Sequence, residues 1–117
     1  MVCAVTLYGI SSCDTIRKAK TWLKNQHIEF QFHDYRKQGL EPKLLESMIS
    51  ILGWEVMLNR RGTTWKALPD AVKEQIDEAS AIRIMLDNPA IIKRPILATA
   101  NQLYPGFSER QYEEIFS

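Results

Sequence analysis

The stretch Tyr8-Gly-Ile-Ser-Ser-Cys-Asp-Thr-Ile-Arg-Lys-Ala19 decides how the rest of the sequence is interpreted. It is typical of the end of a buried strand, a tight turn and the first turns of a helix. Cys13 stands at the start of that helix, where free backbone N–H groups and the helix dipole favour a thiolate over a thiol. Because a thiolate is a nucleophile, Cys13 is the first candidate for a catalytic residue. The alternative is a small buried residue that packs the helix onto the sheet.

The patterns on either side of this stretch predict a βαβ unit. Residues 2–8 are almost entirely apolar, as in a strand that is covered on both faces. Residues 14–26 have the period of an amphipathic helix, and residues 28–33 alternate as a second strand does. The apolar side of the predicted helix carries Ile16, Ala19 and Leu23. Strand, helix and strand within about 33 residues predict two parallel strands.

The remainder of the chain predicts a helical middle and a ββα end. After a polar exit at residues 34–39, helices are predicted at residues 42–52, 54–58, 70–78 and 80–87, with Ser80 as the N-cap of the last and a basic loop at 59–64. Strands at residues 96–98 and 102–104, joined by a hairpin at 99–101, precede a terminal helix that Ser108 caps. This order is that of an α/β, thioredoxin-like fold with a mixed sheet. Residues 1–117 are predicted to form one domain with a helical insertion at about residues 40–88.

That fold gives meaning to the pair Arg94-Pro95. Thioredoxin-like proteins keep a cis-proline beside the thiol, just before the third strand, and Pro95 occupies that place. A guanidinium at Arg94 favours a nearby thiolate, and its planar fork can hold a carboxylate or an oxyanion. Asp14 acts in the opposite sense on the thiolate, although its charge suits a helix start.

Composition excludes several classes of function. The 117 residues carry a formal charge of +1, which gives no global field for binding nucleic acid or an anionic membrane. No apolar run approaches the roughly 20 residues of a membrane span, and the N-terminus lacks the basic start and long apolar region of a signal peptide. The sequence therefore predicts a cytoplasmic protein, in which thiols stay reduced.

The two cysteines differ in their surroundings. Cys3 stands among apolar residues near the start of the predicted strand, which indicates core packing. It is separated from the far end of that strand by about 16 Å, whereas a disulfide requires Cα atoms within about 7 Å. Position 16 is Ile, so Cys13 has no C-x-x-C partner. Neither cysteine has the dense ligand cluster of a zinc site, and no metal is predicted.

Four motifs occur in order along the chain: residues 7–15 (LYGISSCDT), 32–36 (FHDYR), 59–65 (NRRGTTW) and 92–96 (IKRPI). Together they resemble the ArsC-like, Spx/MgsR-type family, which is related to arsenate reductases, and within it the YffB branch. The resemblance covers essentially the whole chain. It implies a thioredoxin-like domain with a helical insert, a reactive Cys13 and an Arg94 that precedes a cis-Pro95.

The branches of this family imply different functions. Its arsenate reductases are coupled to glutathione or glutaredoxin and use three arginines, of which Arg94 matches one. Arg60 and Arg61 fall near the first, and residues 104–107, where the third falls, contain no arginine. The Spx regulators carry a C-x-x-C redox switch and bind RNA polymerase. The YffB-like interpretation is a glutathione-dependent thiol-disulfide reductase with a single nucleophilic cysteine.

We therefore expect glutathione as a co-substrate rather than a bound cofactor, an oxidised thiol as substrate, and a glutaredoxin as a further candidate partner. A regulator that binds RNA polymerase and an arsenate reductase are the alternatives. Cys13 is the expected catalytic residue. The candidates for binding substrate or glutathione are Asp14, Thr15, Arg60, Arg61, Arg94 and Pro95.

Overall fold

A computed structural model describes residues 5–11, 13–100 and 102–117 of the chain. It forms two compact units, one made of residues 1–38 with 94–117 and the other of residues 39–93. Cys3, the first residues of the first predicted strand, and Asn101 of the predicted hairpin lie outside the described residues. The assignment of the whole chain to one domain stays a prediction.

The helices and strands follow one another in this order: β1 (Thr6–Gly9), α1 (Asp14–Asn25), β2 (Gln31–Asp34), α2 (Tyr35–Gln38), α3 (Pro42–Leu52), α4 (Trp54–Met57), α5 (Thr63–Lys66), α6 (Asp70–Glu74), α7 (Glu78–Asp87), a 3-10 turn (Pro89–Ile91), β3 (Ile96–Ala98), β4 (Leu103–Pro105) and α8 (Glu109–Ile115).

The sheet of the first unit is mixed, as predicted. Within the described residues its four strands lie in the order β2-β1-β3-β4. β1 runs parallel to β2, with Leu7 opposite Phe32, and antiparallel to β3, with Leu7 opposite Leu97. β3 and β4 form the predicted antiparallel pair. The parallel pair is joined by α1, as expected for a βαβ unit.

The core of the first unit lies between the sheet and the helices α1 and α8. Its buried side chains are Val5, Leu7, Ala19, Leu23, Leu97 and Tyr112. The predicted apolar side of α1 is confirmed, because Ile16, Ala19 and Leu23 are all fully buried. Burial of each large aliphatic side chain contributes roughly 1.5–3 kcal/mol, so α1 is held firmly at the end of β1.

The C-terminal end of α1 has an unusual backbone conformation at His27, whose φ is 58°. The His27 N–H donates to the Lys24 carbonyl at 3.0 Å, and the Ile28 N–H donates to the Leu23 carbonyl at 3.0 Å. This pair of bonds is the Schellman arrangement, in which the left-handed residue is usually glycine.

The second unit is helical, and its predicted start is confirmed. α3 begins with Pro42 in its first turn and ends before Gly53, whose φ is 89°. α3 contacts α4 and α7, and one antiparallel bridge joins Leu58 to Ile92. Among the helices of the described residues, none combines the length and the apolar character needed to cross a membrane.

Several predicted boundaries were wrong. β2 begins at Gln31, later than the alternating pattern indicates. β1 spans Thr6–Gly9, and the start predicted for it at residues 2–4 lies outside the described residues. The polar exit contains the short helix α2, whose first residue, Tyr35, is buried. The N-cap of α7 is Asp77 rather than Ser80. Ser80 instead completes a capping box, since its Oγ accepts a hydrogen bond from the Asp77 N–H at 2.9 Å.

Candidate active site around Cys13

One end of the sheet gathers the predicted site residues of the first unit. β1 and β2 both finish there, with Gly9 opposite Asp34. β3 starts there, with Ile96 opposite Tyr8, so Pro95 precedes the first paired residue at this same end. Cys13 follows the end of β1, so it lies at this end of the sheet too. The register therefore brings Cys13 and the pair Arg94-Pro95 to one end of the sheet.

Cys13 is the N-cap of α1 and has an extended backbone, with φ −85° and ψ 131°. Its N–H donates to the Ile10 carbonyl at 3.2 Å, and its own carbonyl accepts from the Arg17 N–H at 3.2 Å. The thiol is free and half-buried. Among the residues that the structure describes, the side chain makes no capping hydrogen bond. The backbone thus holds the turn and leaves the sulfur available for chemistry.

Asp14, the acidic neighbour of Cys13, forms an ion pair with Arg17 one turn along α1. Both side chains are largely exposed, so the pair adds little to stability. Its local effect is to set a cation against the carboxylate that opposes a thiolate at Cys13. Arg17 was not among the predicted site residues, although the i, i+3 spacing is the sequence signal for such a pair. Thr15 is half-buried in the first turn of α1.

The peptide bond between Arg94 and Pro95 is cis, as the fold leads one to expect. Pro95 is buried, and its carbonyl accepts a hydrogen bond from the Gly106 N–H at 2.8 Å. Arg94 is half-buried. The pair is therefore tied both to β3 and to the end of β4.

Arg60 and Arg61 belong to the second unit. The guanidinium carbon of Arg60 lies 5.4 Å from the centre of the Trp65 ring, a distance at which cation and ring attract. The Arg61 N–H donates to Oδ1 of Asn59 at 3.1 Å. Both arginines are exposed. Their participation in a site with Cys13 stays a prediction.

Asp34, at the end of β2, was not among the predicted site residues. It is buried, with 3% of its surface exposed. One carboxylate oxygen accepts the Ser11 N–H at 3.2 Å and the other accepts the Arg36 N–H at 2.9 Å. Burial raises the pKa of Asp34, but hydrogen bonds from Arg36, Ser11 and Lys37 outweigh it and hold the pKa below its usual value. The carboxylate is therefore charged at neutral pH.

A groove of about 790 Å³ follows α1 on the side of Asp14. Its lining includes Asp14, Arg17, Thr21, Trp22, Phe107 and Glu109. In the described part of the chain, no group of three or more His, Cys, Asp or Glu side chains is placed to hold a metal ion.

The sequence pattern of the ArsC family matches residues 8–115. An uncharacterised protein of Haemophilus influenzae is 40% identical over 113 residues, which is 97% of this chain and 99% of that protein. The global transcriptional regulator Spx of Streptococcus pyogenes is 29% identical over 115 residues, covering 97% of this chain and 85% of the regulator.

Solved structures agree with these matches. The YFFB protein superposes with a TM-score of 0.90 at 40% identity, over 97% of this chain and 99% of that one. An arsenate reductase (ArsC) related protein from Brucella melitensis gives 0.83 at 43% identity, over 100% and 98%. A glutaredoxin from Archaeoglobus fulgidus, at 14% identity and 0.51 over 98% and 87%, shares the fold alone.

These likenesses confirm the predicted thioredoxin-like α/β fold and the resemblance to ArsC, Spx and YffB proteins. Because the match extends over nearly the whole length, the chain belongs to the ArsC family.

Proposed function

We propose that the protein is a glutathione-dependent thiol-disulfide reductase that works with one cysteine, Cys13. The observation that carries the proposal is a free, half-buried thiol at the N-cap of α1. Three residues further on, where a C-x-x-C protein has its second cysteine, Ile16 is fully buried in the core. A site of this kind relies on a thiol from another molecule to complete each turnover. Membership of the ArsC family supports a reaction at this cysteine.

The chemistry follows from thiol-disulfide exchange. The Cys13 thiolate attacks one sulfur of a substrate disulfide, which breaks the S–S bond, forms a mixed disulfide with Cys13 and releases the other half as a thiolate. A first glutathione thiolate attacks the mixed disulfide at the substrate sulfur and frees Cys13. A second glutathione reduces the resulting substrate–glutathione disulfide. The sum converts one disulfide and two glutathiones into two substrate thiols and one glutathione disulfide.

The remaining candidates serve binding. Arg61 and Arg94 are proposed to hold the carboxylates of glutathione, because a guanidinium matches a carboxylate with two parallel hydrogen bonds, and Arg60 is a further candidate. Pro95, which precedes β3, offers its backbone to an extended substrate. Asp14 and Thr15, in the first turn of α1, are proposed to contact the substrate beside the thiol.

The first experiment exposes the protein to oxidised glutathione and locates the adduct by mass spectrometry. We expect one glutathione, on Cys13. The second follows reduction of a small disulfide with glutathione as electron donor, coupled to glutathione reductase. Cys13→Ser is expected to abolish turnover, and Cys3→Ser, which makes the same change at the other cysteine, is expected to retain it. Turnover that survives Cys13→Ser would contradict the proposal.

The Spx relative favours one second candidate, a transcriptional regulator. In that case purified RNA polymerase would bind the protein stoichiometrically, and Cys13→Ser would leave the binding unchanged. The ArsC-related structure suggests one more arm of the same assay. Replacing the disulfide by arsenate measures arsenate-dependent consumption of glutathione, and turnover only with arsenate would identify an arsenate reductase.

A further inference from the structure

Asp34 is the buried ionised side chain nearest in register to the Cys13 turn, and the mechanism above does not use it. Its two carboxylate oxygens accept N–H groups from two different segments, Ser11 before Cys13 and Arg36 in α2. Its own N–H donates to Oε1 of Gln38 at 3.0 Å. Burying a carboxylate is costly unless it is hydrogen-bonded, so this arrangement places strong constraints on the groups around it.

Ser11 is separated from Asp34 by 23 residues along the chain. Its hydrogen bond to Asp34 joins the end of β2 to the turn between β1 and α1. The turn is closed on its other side by the bond from the Cys13 N–H to the Ile10 carbonyl. Ser11 therefore lies between two anchored points, the end of β1 and the start of α1. The bond to Asp34 therefore holds, from the side of β2, the same turn that ends at Cys13.

We propose that Asp34 is a positioning residue for Cys13, because its carboxylate fixes Ser11 and thereby the place of the thiol at the start of α1. The inference rests on Cys13 as the reacting group of the proposed function, but on no particular substrate or electron donor. It assigns Asp34 no contact with the reacting atoms.

Two effects of Asp34 on the thiol have opposite signs, which makes the proposal testable. The field of a helix start falls off within the first turn, so a displaced Cys13 loses part of what stabilises its thiolate. A negative charge near the thiol disfavours the thiolate. Removing the Asp34 carboxylate therefore lowers the alkylation rate of the Cys13 thiol if Asp34 acts by position. It raises that rate if Asp34 acts by charge.

The test is the rate at which iodoacetamide alkylates Cys13 in Asp34→Asn, measured across the pH range in which a thiol titrates and at a temperature where circular dichroism shows a folded protein. The amide keeps the shape but presents an NH₂ group in place of one of the two accepting oxygens. Because Asp34 acts on the thiol only through Ser11, we expect the reaction at neutral pH to be slower by up to about tenfold.

Asp77→Asn is the matched control. Asp77 also accepts a backbone N–H, that of Ser80 at 2.9 Å, at the start of a helix in the other unit, so the variant loses the same charge and a similar bond. Its alkylation rate is expected to equal that of the wild type. An unchanged or faster rate in Asp34→Asn would overturn the proposal.

A measurement on the unmodified protein covers the case in which Asp34→Asn does not fold. Amide hydrogen exchange followed by NMR should show that the Ser11 N–H is protected at neutral pH, because its donor is engaged with Asp34. Exchange of the Ser11 amide at the rate of an unstructured peptide would refute the tie. Neither measurement involves glutathione, so the proposed reductase activity can fail while this inference stands.

Discussion

A close approach between β1 and α1 explains why position 9 has no side chain. A Cβ on Gly9 would overlap Cδ1 of Ile16 and would lie 3.1 Å from its Cγ1. Ile16 is fully buried and branched at Cβ, so it has little freedom to turn away. The end of β1 therefore packs so closely against Ile16 of α1 that position 9 has room for hydrogen but not for a side chain.

Gly9→Ala is expected to lower the free energy of unfolding by about 1–3 kcal/mol, the usual cost of overpacking a core. The measurement is urea denaturation. Ile16→Val removes the clashing Cδ1 and by itself costs about 0.5–1.5 kcal/mol. The double variant should lose less stability than the sum of the losses in the two single variants, because Ile16→Val removes the atom that the new Cβ would overlap. Strict additivity would show that the clash is relieved elsewhere.

Single residues were predictable where the signal is local. Cys13 was identified because a turn, a polar sequence and a helix follow one another, and the cis-Pro95 because the order of elements is that of a known fold. Asp34 was missed because its role depends on a bond across 23 residues. No spacing rule in a sequence reports a contact of that separation.

At the level of elements, the end of β2 is joined to the thiol turn by one carboxylate. Hydrogen bonds lower the pKa of Asp34 despite its burial, so the folded state binds fewer protons at this site than the unfolded state. The carboxylate therefore stabilises the fold above the unfolded value of about pH 3.9. That contribution is lost as the pH falls through the lower pKa of the folded state.

Asp34→Asn should consequently change how stability depends on pH. Relative to the wild type, we expect a constant deficit in the free energy of unfolding above about pH 5, and a deficit that narrows below about pH 4. Burial and the neighbouring Lys24 lower the pKa of Lys20 and Asp34 only partly offsets them, but Lys20 stays charged in this acidic range, so it does not itself titrate there. Urea denaturation at several pH values measures the deficit. A deficit that is the same at low and neutral pH would contradict this assignment.

The longer amphipathic helices were predicted well, for a physical reason. α1 and α3 have an apolar side with the period of a helix, and each ends within a residue of its predicted end. The alternation of residues 28–33 predicts where a strand can form, but the ladder with β1 decides where it does, and that ladder begins at Gln31. Asp77 and Ser80 both suit an N-cap, and the fold uses both in one capping box.

At the level of the first unit as a whole, Tyr112 joins the two helices to the sheet. It is fully buried, and its ring meets Phe107 edge-on with centroids 4.7 Å apart and Trp22 with centroids 5.6 Å apart. Such pairs add about 0.5–1.5 kcal/mol beyond burial. Among the described residues, the Tyr112 hydroxyl has no hydrogen-bond partner. The ring stabilises the core and the hydroxyl does not.

Tyr112→Phe is therefore expected to leave the free energy of unfolding unchanged or to raise it by up to about 1 kcal/mol, because an unpaired buried hydroxyl is removed. Tyr112→Ala, which deletes the ring as well, is expected to cost about 3–5 kcal/mol. Thermal or urea denaturation separates the two. A Phe variant as unstable as the Ala variant would mean that the hydroxyl has a partner after all.

The fold class of the whole molecule followed from the order of its elements, because βαβ, helices and ββα leave few possible topologies. The placement of Arg60 and Arg61 did not follow, since a loop between helices has no period that relates it to a distant residue. The candidate site was thus predictable around Cys13 and Pro95, which the sheet register connects, and was incomplete elsewhere.

The left-handed backbone at His27 marks a position where a substitution can raise the stability of the protein. A residue with a Cβ pays an energetic penalty there that glycine avoids, so His27→Gly is expected to raise the free energy of unfolding by about 0.5–1 kcal/mol. His27→Ala retains the penalty and should gain nothing, which calorimetry can check. The glycine variant would then be a more stable background, in which destabilising substitutions near Cys13 can be studied while the protein remains folded.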